Sequence, residues 1–496
     1  MMPTVQTLRK TPLFWLTILF FISAKGHLEI IDTEYSVRTA IAIIEEGSML
    51  IEPVDPSIRD RMPKVEGTDK IYSQYGIGIL VIFIPIVLIA KFFATFTGMD
   101  QIMMTQFLLS FYNIPFAIIG LWNFRKILTL LGQKKPISDF FTICLAVGTI
   151  HWKYTVTDFS EITQCALLLC SIRAFLDYKS RSRWKFVSIY LGLLISVKLL
   201  YVLLVPCFLI HVIAEDYKEQ FRSKYLLQFI SWLLPFAILL SVANWARYGN
   251  IFESGYGSQQ EAFSFSYFLR DWKDYLFSWD RGLFTYNPIV LISLLLIPKL
   301  FHKDKRLTIL ILSIALTLYL ATASWMGWKG GVCWGNRNLM LVVPILAIFW
   351  GVFSWEKIVV RYSFCALLLI SVSIQLVGSS IKVQEWTVLS RSFRNNQEFQ
   401  SPNELMGCFL IFKEKIHNSS GIYRGSAFVS EFQEEIDLTS YESFRGYNFW
   451  IVHLAKLFMS KYLQLTSLLL LILTSFLSMF LIALGYLKIE RSNLKN

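Results

Sequence analysis

The chain has few charged residues for its length of 496 residues. Only 17% are charged, whereas a soluble protein has about 25%, and 55% are hydrophobic. This composition excludes a soluble enzyme. Apolar runs, several of them as long as the roughly 20 residues that a helix needs to cross a bilayer, recur from Leu13 to Leu487. We therefore predict a polytopic helical membrane protein.

Cysteine and histidine are also scarce. There are seven cysteines and six histidines, and most of the cysteines lie inside apolar runs, where they act as small hydrophobic residues. Their spacing indicates neither a disulfide framework nor a cysteine metal site. The sequence has no HExxH motif, no P-loop and no serine-centred nucleophile elbow. The common signatures of metalloproteases, nucleotide hydrolases and serine hydrolases are therefore missing.

Basic residues outnumber acidic ones and give a net charge of +12. They lie in short clusters between apolar runs and not on one amphipathic face, so we expect no nucleic-acid partner. The positive-inside rule places such clusters in the cytoplasm. The clusters fall within residues 134–135, 179–185, 218–224, 299–306, 357–361 and 488–495.

Two apolar runs break this rule if each is read as a single span. Residues 76–96 carry Pro85 and follow an outside loop directly, so we expect this run to enter the outer leaflet and return. Residues 186–213 carry Lys198 near their middle, where a lone lysine costs roughly 2.5–3.5 kcal/mol. A hairpin of two half-helices would lift Lys198 toward the outer face. Every basic cluster then lies inside, which predicts cytoplasmic amino and carboxyl termini.

This topology predicts an all-α bundle of about 10–12 transmembrane helices with loops on the outer face. Residues 1–380 are expected to form a membrane-embedded catalytic module, in which the first outside loop covers residues 26–73. Residues 381–462 would form an outside loop or a small domain. Residues 463–496 would form a final membrane helix and a cytoplasmic tail.

Acidic residues open the first outside loop. Asp32 and Glu34 precede a periodic apolar set that begins at Val37, which predicts a short amphipathic helix at the membrane surface. Asp32 has two interpretations. It is either the N-cap of that helix, where it accepts a bond from the backbone donors of the first turn, or a catalytic carboxylate.

A second acidic pair, Asp158 and Glu161, lies where the chain enters an apolar helix from the outer side. Their i, i+3 spacing would put both carboxylates on one helix face. Acidic residues stabilise the amino end of a helix through its dipole, which is the structural interpretation. A carboxylate inside an apolar helix is also a candidate functional residue.

A glycine-rich segment follows at residues 325–338, with the sequence WMGWKGGVCWGNRN. An aromatic belt at the membrane surface explains its tryptophans but not Gly330, Gly331 and Gly335. A fixed bend that presents backbone N–H groups, Lys329 and Arg337 to a phosphate would use all of them. We expect Lys198 to join these two cations at the same phosphate.

The order of these features resembles the GT-C superfamily of polyprenyl-phosphate-dependent glycosyltransferases. The shared pattern is an acidic residue after the first membrane helix, a polar first loop, a second acidic site and broken helices midway. Locally, the sequence resembles the bacterial branch related to protein O-mannosyltransferases and aminoarabinose transferases. The segments that carry this likeness are IIDTEYSVRTAIAIIEEGSML, IYSQYGIGILVIFIP, LFSWDRGLFTYNPIVL and GWKGGVCWGNRNLMLVVP.

The resemblance implies a GT-C-like bundle in the plasma (inner) membrane with its active site on the outer face. Asp32 would be the catalytic base that takes a proton from the acceptor hydroxyl as the sugar leaves its lipid phosphate. The family often has Asp followed at once by Glu, whereas Thr33 separates Asp32 from Glu34 here. Asp158 and Glu161 would belong to the second acidic site, which binds a divalent metal in some relatives and not in others. No metal is assigned.

The implied partners are a polyprenyl-phosphate-linked sugar, a lipid, glycan or protein acceptor, and the bilayer. A transporter or flippase of a lipid-linked sugar is an alternative, but it predicts paired inverted repeats, and none is visible in the sequence. A polysaccharide polymerase or ligase would share the donor and differ in the acceptor. A purely structural membrane protein would not need Glu161 or Lys198 inside apolar helices.

Overall fold

The computed structural model describes residues 11–51, 70–219, 223–256, 263–327, 330–356, 358–387, 403–417 and 447–452. Within these ranges the chain is almost entirely helical, and its extended pairing is limited to two isolated β-bridges. Helices satisfy every backbone donor and acceptor inside one segment, which is what a hydrocarbon environment requires. The protein is an all-α polytopic membrane protein, and this prediction is confirmed.

The helices follow one another with short connections. The first half of the chain contains α1 (Pro12–Ser23), α2 (Ile31–Glu46), α3 (Leu80–Thr97), α4 (Gln101–Leu109), α5 (Asn113–Leu130), α6 (Lys135–Val147), α7 (His151–Thr155), α8 (Glu161–Phe175), α9 (Arg183–Val197), α10 (Val205–Lys218) and α11 (Lys224–Tyr248). The second half contains α12 (Phe265–Phe277), α13 (Leu283–Tyr286), α14 (Leu291–Lys303), α15 (Lys305–Ala323), α16 (Val342–Ala347), α17 (Ile358–Ser380) and α18 (Glu404–His417).

Six helical stretches of the described chain are long and apolar enough to cross a membrane. They are Ile77–Thr97, Gln101–Leu130, Leu199–Lys218, Lys224–Tyr248, Lys305–Ala323 and Ile358–Ser380. Two shorter apolar helices, Pro12–Ser23 and Val342–Val352, accompany them. The predicted final membrane helix lies outside the described residues. The division into a module of residues 1–380, an outside segment and a tail stays a prediction.

The basic clusters between residues 134 and 361 meet, in the part of the chain that the structure describes, at one end of the bundle. Loops that are far apart in sequence contact one another there, through the Gln133 amide and the Phe353 carbonyl at 3.0 Å, the Tyr178 hydroxyl and the Asp304 carboxylate at 3.3 Å, the Lys303 ammonium and the Leu131 carbonyl, and the Arg183–Glu215 ion pair. The clusters therefore share one end, as the positive-inside rule requires of a single topology.

The chain turns back on itself at Lys198. Helix α9 ends at Val197, Lys198 has an extended backbone with φ −151° and ψ 114°, and a 3-10 turn then leads into α10. Arg183 at the start of α9 pairs with Glu215 near the end of α10, so the two helices are antiparallel. The chain turns back at Lys198 as predicted, and the tip lies at the end of the bundle opposite the basic clusters. The second arm is not the half-helix that was expected, because Leu199–Lys218 is long and apolar enough to cross a membrane.

The prediction that residues 76–96 themselves turn back is wrong. Pro85 lies inside α3 without ending it, the stretch Ile77–Thr97 is long and apolar enough to cross a membrane, and the chain comes back through α4. The rings of Phe83 and Tyr112 lie 5.1 Å apart as a result. Helix α2 packs along α3 with its apolar face, where Val37 and Ala40 are buried. The amphipathic helix predicted after Asp32 is therefore present.

Candidate active site

A cavity of about 670 Å³ opens at the end of the bundle opposite the basic clusters. The start of α2, the segment before α3, the first turn of α8, the tip of the α9–α10 hairpin and the segment before α16 enclose it. Its charged and phenolic lining residues include Asp32, Tyr75, Glu161, Lys198 and Arg337. Four of the seven predicted site residues thus face a single cavity.

Both carboxylate oxygens of Asp32 accept hydrogen bonds from other side chains. Oδ1 accepts a hydrogen bond from the Tyr75 hydroxyl at 2.7 Å, and Oδ2 accepts one from Nη1 of Arg337 at 3.1 Å. Helix α2 has Ile30 as its N-cap, and no side chain caps it. The N-cap interpretation of Asp32 is therefore wrong, because Asp32 lies in the first turn and its side chain points into the cavity.

Tyr75 keeps its proton in this contact. Burial and the neighbouring Asp32 raise the pKa of Tyr75 above its ordinary value, because an anionic phenolate would be poorly solvated and repelled by the carboxylate. The Tyr75 hydroxyl is therefore a hydrogen-bond donor to Asp32.

Asp158 supports the start of α2. Its carboxylate accepts the backbone N–H groups of Glu29 at 3.0 Å and Ile30 at 3.1 Å, and its carbonyl accepts the Thr33 hydroxyl at 2.7 Å. Burial raises the pKa of Asp158 to about 7 and outweighs the opposing effect of these backbone bonds. Asp158 thus fixes the helix that carries Asp32 and does not line the cavity.

Glu161 has a different environment from Asp158. It is the first residue of α8 and lines the cavity, and its buried Oε2 atom has no hydrogen-bond partner within the described part of the chain. The expectation that both carboxylates share one helix face is wrong, because α8 begins only at Glu161 and Asp158 precedes it in a non-helical turn.

Glu34 points away from Asp32. Its carboxylate pairs with Arg38 at 3.2 Å, one helical turn further on, and accepts the Gln106 amide at 3.4 Å. Residues two apart on a helix do not face each other, and Glu34 is not among the cavity residues. The structure therefore does not support the predicted catalytic role of Glu34.

Arg337 is the guanidinium of the site. It lies over the Phe159 ring with its central carbon 5.0 Å from the ring centroid, and its buried Nε has no acceptor among the residues the structure describes. Burial would lower the pKa of Arg337, but the charges of Asp32 and Glu161 raise it. Lys198 also lines the cavity, whereas Lys329 lies outside the described residues.

Three glycines of the glycine-rich segment have the backbone conformation of a tight bend. Gly330, Gly331 and Gly335 have φ angles of +69°, +77° and +61°, a region that side chains disfavour. A Cβ atom at Gly330 would lie 3.0 Å from Cγ of Arg337. The bend therefore lets the backbone approach the arginine closely.

Tyr75 and the arginine that binds its segment were not among the predicted site residues. Nη1 of Arg247 donates to the carbonyls of Ser73 at 2.7 Å and Tyr75 at 3.3 Å, and Arg247 is buried. Tyr75 stood at the boundary of an apolar run, where a tyrosine is usually an interface anchor. Only a charged residue near the end of a membrane helix, as at Arg247, signalled an internal partner.

Apolar side chains form the rest of the cavity wall. They include Ile79, Phe83, Val197, Leu199, Val202, Leu203, Phe263 and Trp325. Several of them, such as Val202, Leu203 and Phe263, are exposed. The cavity thus combines a charged end with an apolar wall.

The described residues contain no group of three or more His, Cys, Asp or Glu side chains that could hold a metal ion. Two solved structures are similar to the chain. ArnT from Cupriavidus metallidurans bound to undecaprenyl phosphate has a TM-score of 0.48 and 12% identity, over 82% of this chain and 72% of that chain. The apo Archaeoglobus fulgidus oligosaccharyltransferase has a TM-score of 0.45 and 10% identity, over 82% of this chain and 55% of that chain. No protein-family model and no curated protein matches the chain.

Proposed function

We propose that this protein is an inverting glycosyltransferase that moves a sugar from a polyprenyl phosphate to an acceptor on the outer side of the membrane. One observation carries the proposal: the Asp32 carboxylate shares a cavity with two cations, Arg337 and Lys198, and with an apolar wall. A transfer from a lipid phosphate needs a base for the acceptor, positive charge for the phosphate and an apolar surface for the lipid.

In the proposed reaction the acceptor hydroxyl oxygen attacks the anomeric carbon of the sugar. The bond from that carbon to the phosphate oxygen breaks, and its electron pair leaves with the polyprenyl phosphate. Asp32 takes the hydroxyl proton as the new bond forms. The phosphate gains a negative charge in this step, so Arg337 and Lys198 would stabilise the transition state more than the bound donor.

The apolar wall suits the prenyl chain of the donor. Val202, Leu203 and Phe263 line the cavity and are exposed, so a lipid chain lying against them would cover apolar side chains with an apolar chain. Arginine suits the phosphate end because its fork of donors matches phosphate oxygens. Like the donor, the cavity therefore has a charged end and an apolar part.

The position of the cavity in the bundle supports its placement on the outer face. All basic clusters that the structure describes lie at the other end, which the positive-inside rule assigns to the cytoplasm. The protein would then be a plasma (inner) membrane enzyme with cytoplasmic termini. The sequence resemblance to the GT-C superfamily supports the same reaction class and the same side of the membrane.

The test is turnover by the purified protein. The protein, reconstituted in vesicles, would be given a panel of radiolabelled polyprenyl-phosphate sugars together with lipid, glycan and protein fractions of the envelope. We expect one donor to lose its sugar only when an acceptor fraction is present, with inversion at the anomeric carbon. Movement of an intact lipid-linked sugar across the vesicle membrane would instead show a flippase.

A further inference from the structure

The two partners of Asp32 are held with very different firmness. Tyr75 donates to Oδ1 at 2.7 Å and Arg337 donates to Oδ2 at 3.1 Å, so both oxygens of the carboxylate are engaged. A general base must lie within hydrogen-bond reach of the proton that it removes. Each oxygen of Asp32 keeps a further lone pair, but the Arg337 guanidinium at Oδ2 competes with an acceptor hydroxyl for that oxygen.

The backbone that carries Tyr75 is anchored by Arg247. The Arg247 guanidinium binds the carbonyls of Ser73 and Tyr75 and also donates to Oδ1 of Asn244 at 2.8 Å and to the Ala243 carbonyl at 3.3 Å. Arg247 is 6% exposed, and these four acceptors lie on two chain segments. The segment that carries Tyr75 is thus tied to the end of α11.

Arg337 is only partly satisfied by Asp32. One nitrogen donates to the carboxylate, and its buried Nε has no acceptor in the described ranges. A guanidinium has five donors in a rigid fork and binds phosphate through two parallel bonds. An entering phosphate would therefore offer Arg337 more acceptors than the single Asp32 oxygen it now contacts.

We propose that the donor phosphate draws Arg337 away from Asp32, and that Tyr75 is the positioning residue that keeps the carboxylate in place during this exchange. The proposal rests on the proposed function. Oδ2 is released when Arg337 turns to the phosphate, while Oδ1 stays on the Tyr75 hydroxyl. Asp32 loses its arginine partner only when the donor is bound, so an acceptor alone meets a masked carboxylate.

Carbodiimide labelling of Asp32 in the full-length protein tests the exchange without any turnover. A carboxylate paired with an arginine reacts slowly, so the label at Asp32, quantified by peptide mass spectrometry, reports its release. We expect undecaprenyl phosphate to raise the labelling rate by roughly tenfold, which corresponds to loss of one charge-assisted bond. Inorganic phosphate at the same concentration should have a smaller effect, because it lacks the chain that the apolar wall would bind.

In Arg337→Gln, Asp32 has lost its arginine partner, so this variant represents the unmasked carboxylate. Its Asp32 should label at the fast rate with or without undecaprenyl phosphate. A wild-type rate that undecaprenyl phosphate leaves unchanged or lowers would overturn the exchange, and so would slow labelling in Arg337→Gln.

Tyr75→Phe tests the positioning role. We expect a lower kcat at an unchanged KM for the donor, because Tyr75 contacts the base and not the phosphate. Tyr248→Phe is the control, since the Tyr248 hydroxyl donates to the Ser73 carbonyl at 3.3 Å in the same segment without reaching Asp32. Equal losses of kcat in both variants would assign Tyr75 to segment packing and reject its positioning role.

The labelling experiment tests the exchange, and the turnover experiment tests the transferase function, so each proposal can be rejected without the other. If undecaprenyl phosphate unmasks Asp32 while no donor loses its sugar, the exchange stands and the transferase function falls. If sugar is transferred while the labelling of Asp32 ignores the lipid phosphate, the function stands and the exchange is rejected.

Discussion

Arg183 and Glu215 form an ion pair that joins the first turn of α9 to the last turn of α10. The pair fixes the two ends of the hairpin beside each other and leaves Lys198 at the tip. It also explains how two neighbouring basic clusters reach the same side of the membrane although an apolar run of 28 residues, 186–213, separates them.

Accessibility to a membrane-impermeant maleimide should follow this hairpin. In a background with Cys365→Ser, which removes the one exposed cysteine of the seven, we expect cysteines placed at Lys135, Ser182 and Ser223 to react only from the cytoplasm. A cysteine placed at Ser266 should react only from outside. Reaction of positions 182 and 223 from opposite sides would contradict the hairpin.

Asp32→Asn should abolish most turnover without unfolding the protein. Asparagine keeps the size of the side chain and can still accept from Tyr75, but it cannot take a proton, so we expect a loss of roughly 10²–10⁴-fold. The assay is sugar transfer at saturating donor. Glu34→Gln is the control, because Glu34 lies on the same helix and faces away from the cavity. Equal activity of the two variants would remove Asp32 as the base.

Arg337→Gln should weaken donor binding more than it disturbs folding. A lost charge-assisted bond of about 1.5–3 kcal/mol corresponds to a rise of roughly 10–150-fold in the apparent KM for the donor. Lys198→Gln should act in the same direction. The control is Arg270→Gln, since Arg270 is exposed on α12. Unchanged donor KM in both cavity variants would place the phosphate elsewhere.

Gly330→Ala should mimic a milder loss of Arg337. Both Gly330 and Gly331 have positive φ, so alanine strains the backbone at either position by about 1 kcal/mol. Only at Gly330 does the added methyl group approach the Arg337 side chain, and nothing lies within 4 Å at Gly331. We expect a higher donor KM for Gly330→Ala and a wild-type KM for Gly331→Ala. Equal KM values would show that the bend does not position the arginine.

Asp158 should give the protein a pH-dependent stability. Its pKa is about 7 in the fold against an ordinary value of 3.8, so between these values the folded state holds a proton that the unfolded state releases. The free energy of unfolding therefore falls as pH rises through this range, by up to about 1.4 kcal/mol per pH unit. The thermal midpoint of the wild type should therefore fall relative to that of Asp158→Asn as pH rises, because the variant lacks this titration. A pH-independent difference would contradict the assigned titration.

The membrane architecture was largely predictable from the sequence because it follows local rules. A lysine in the middle of a long apolar run is costly wherever the fold places it, so the break at Lys198 could be expected without knowing its neighbours. Periodicity after Asp32 gave the amphipathic helix for the same reason. These expectations depend only on the cost of charge in a bilayer and on the helix period, and both can be applied to the sequence without knowing any tertiary contact.

The contacts inside the site were harder to predict because they join distant segments. Whether Asp32 caps its own helix or meets Arg337 depends on how α2 packs, and Tyr75 enters only through the segment held by Arg247. The prediction that Asp158 and Glu161 share one helix face was wrong for a local reason, because α8 begins only at Glu161. A helix boundary shifted by one turn changes which side chains share a face.

The bond between Asp32 and Arg337 joins residues 305 positions apart. A ribosome that adds about 5–20 residues per second needs roughly 15–60 s to cover that distance. Throughout this interval Asp32 has been synthesised and its partner Arg337 has not. Chains shortened before Arg337 would carry the carboxylate without the guanidinium, so the cavity gains this ion pair only late in the synthesis of the chain.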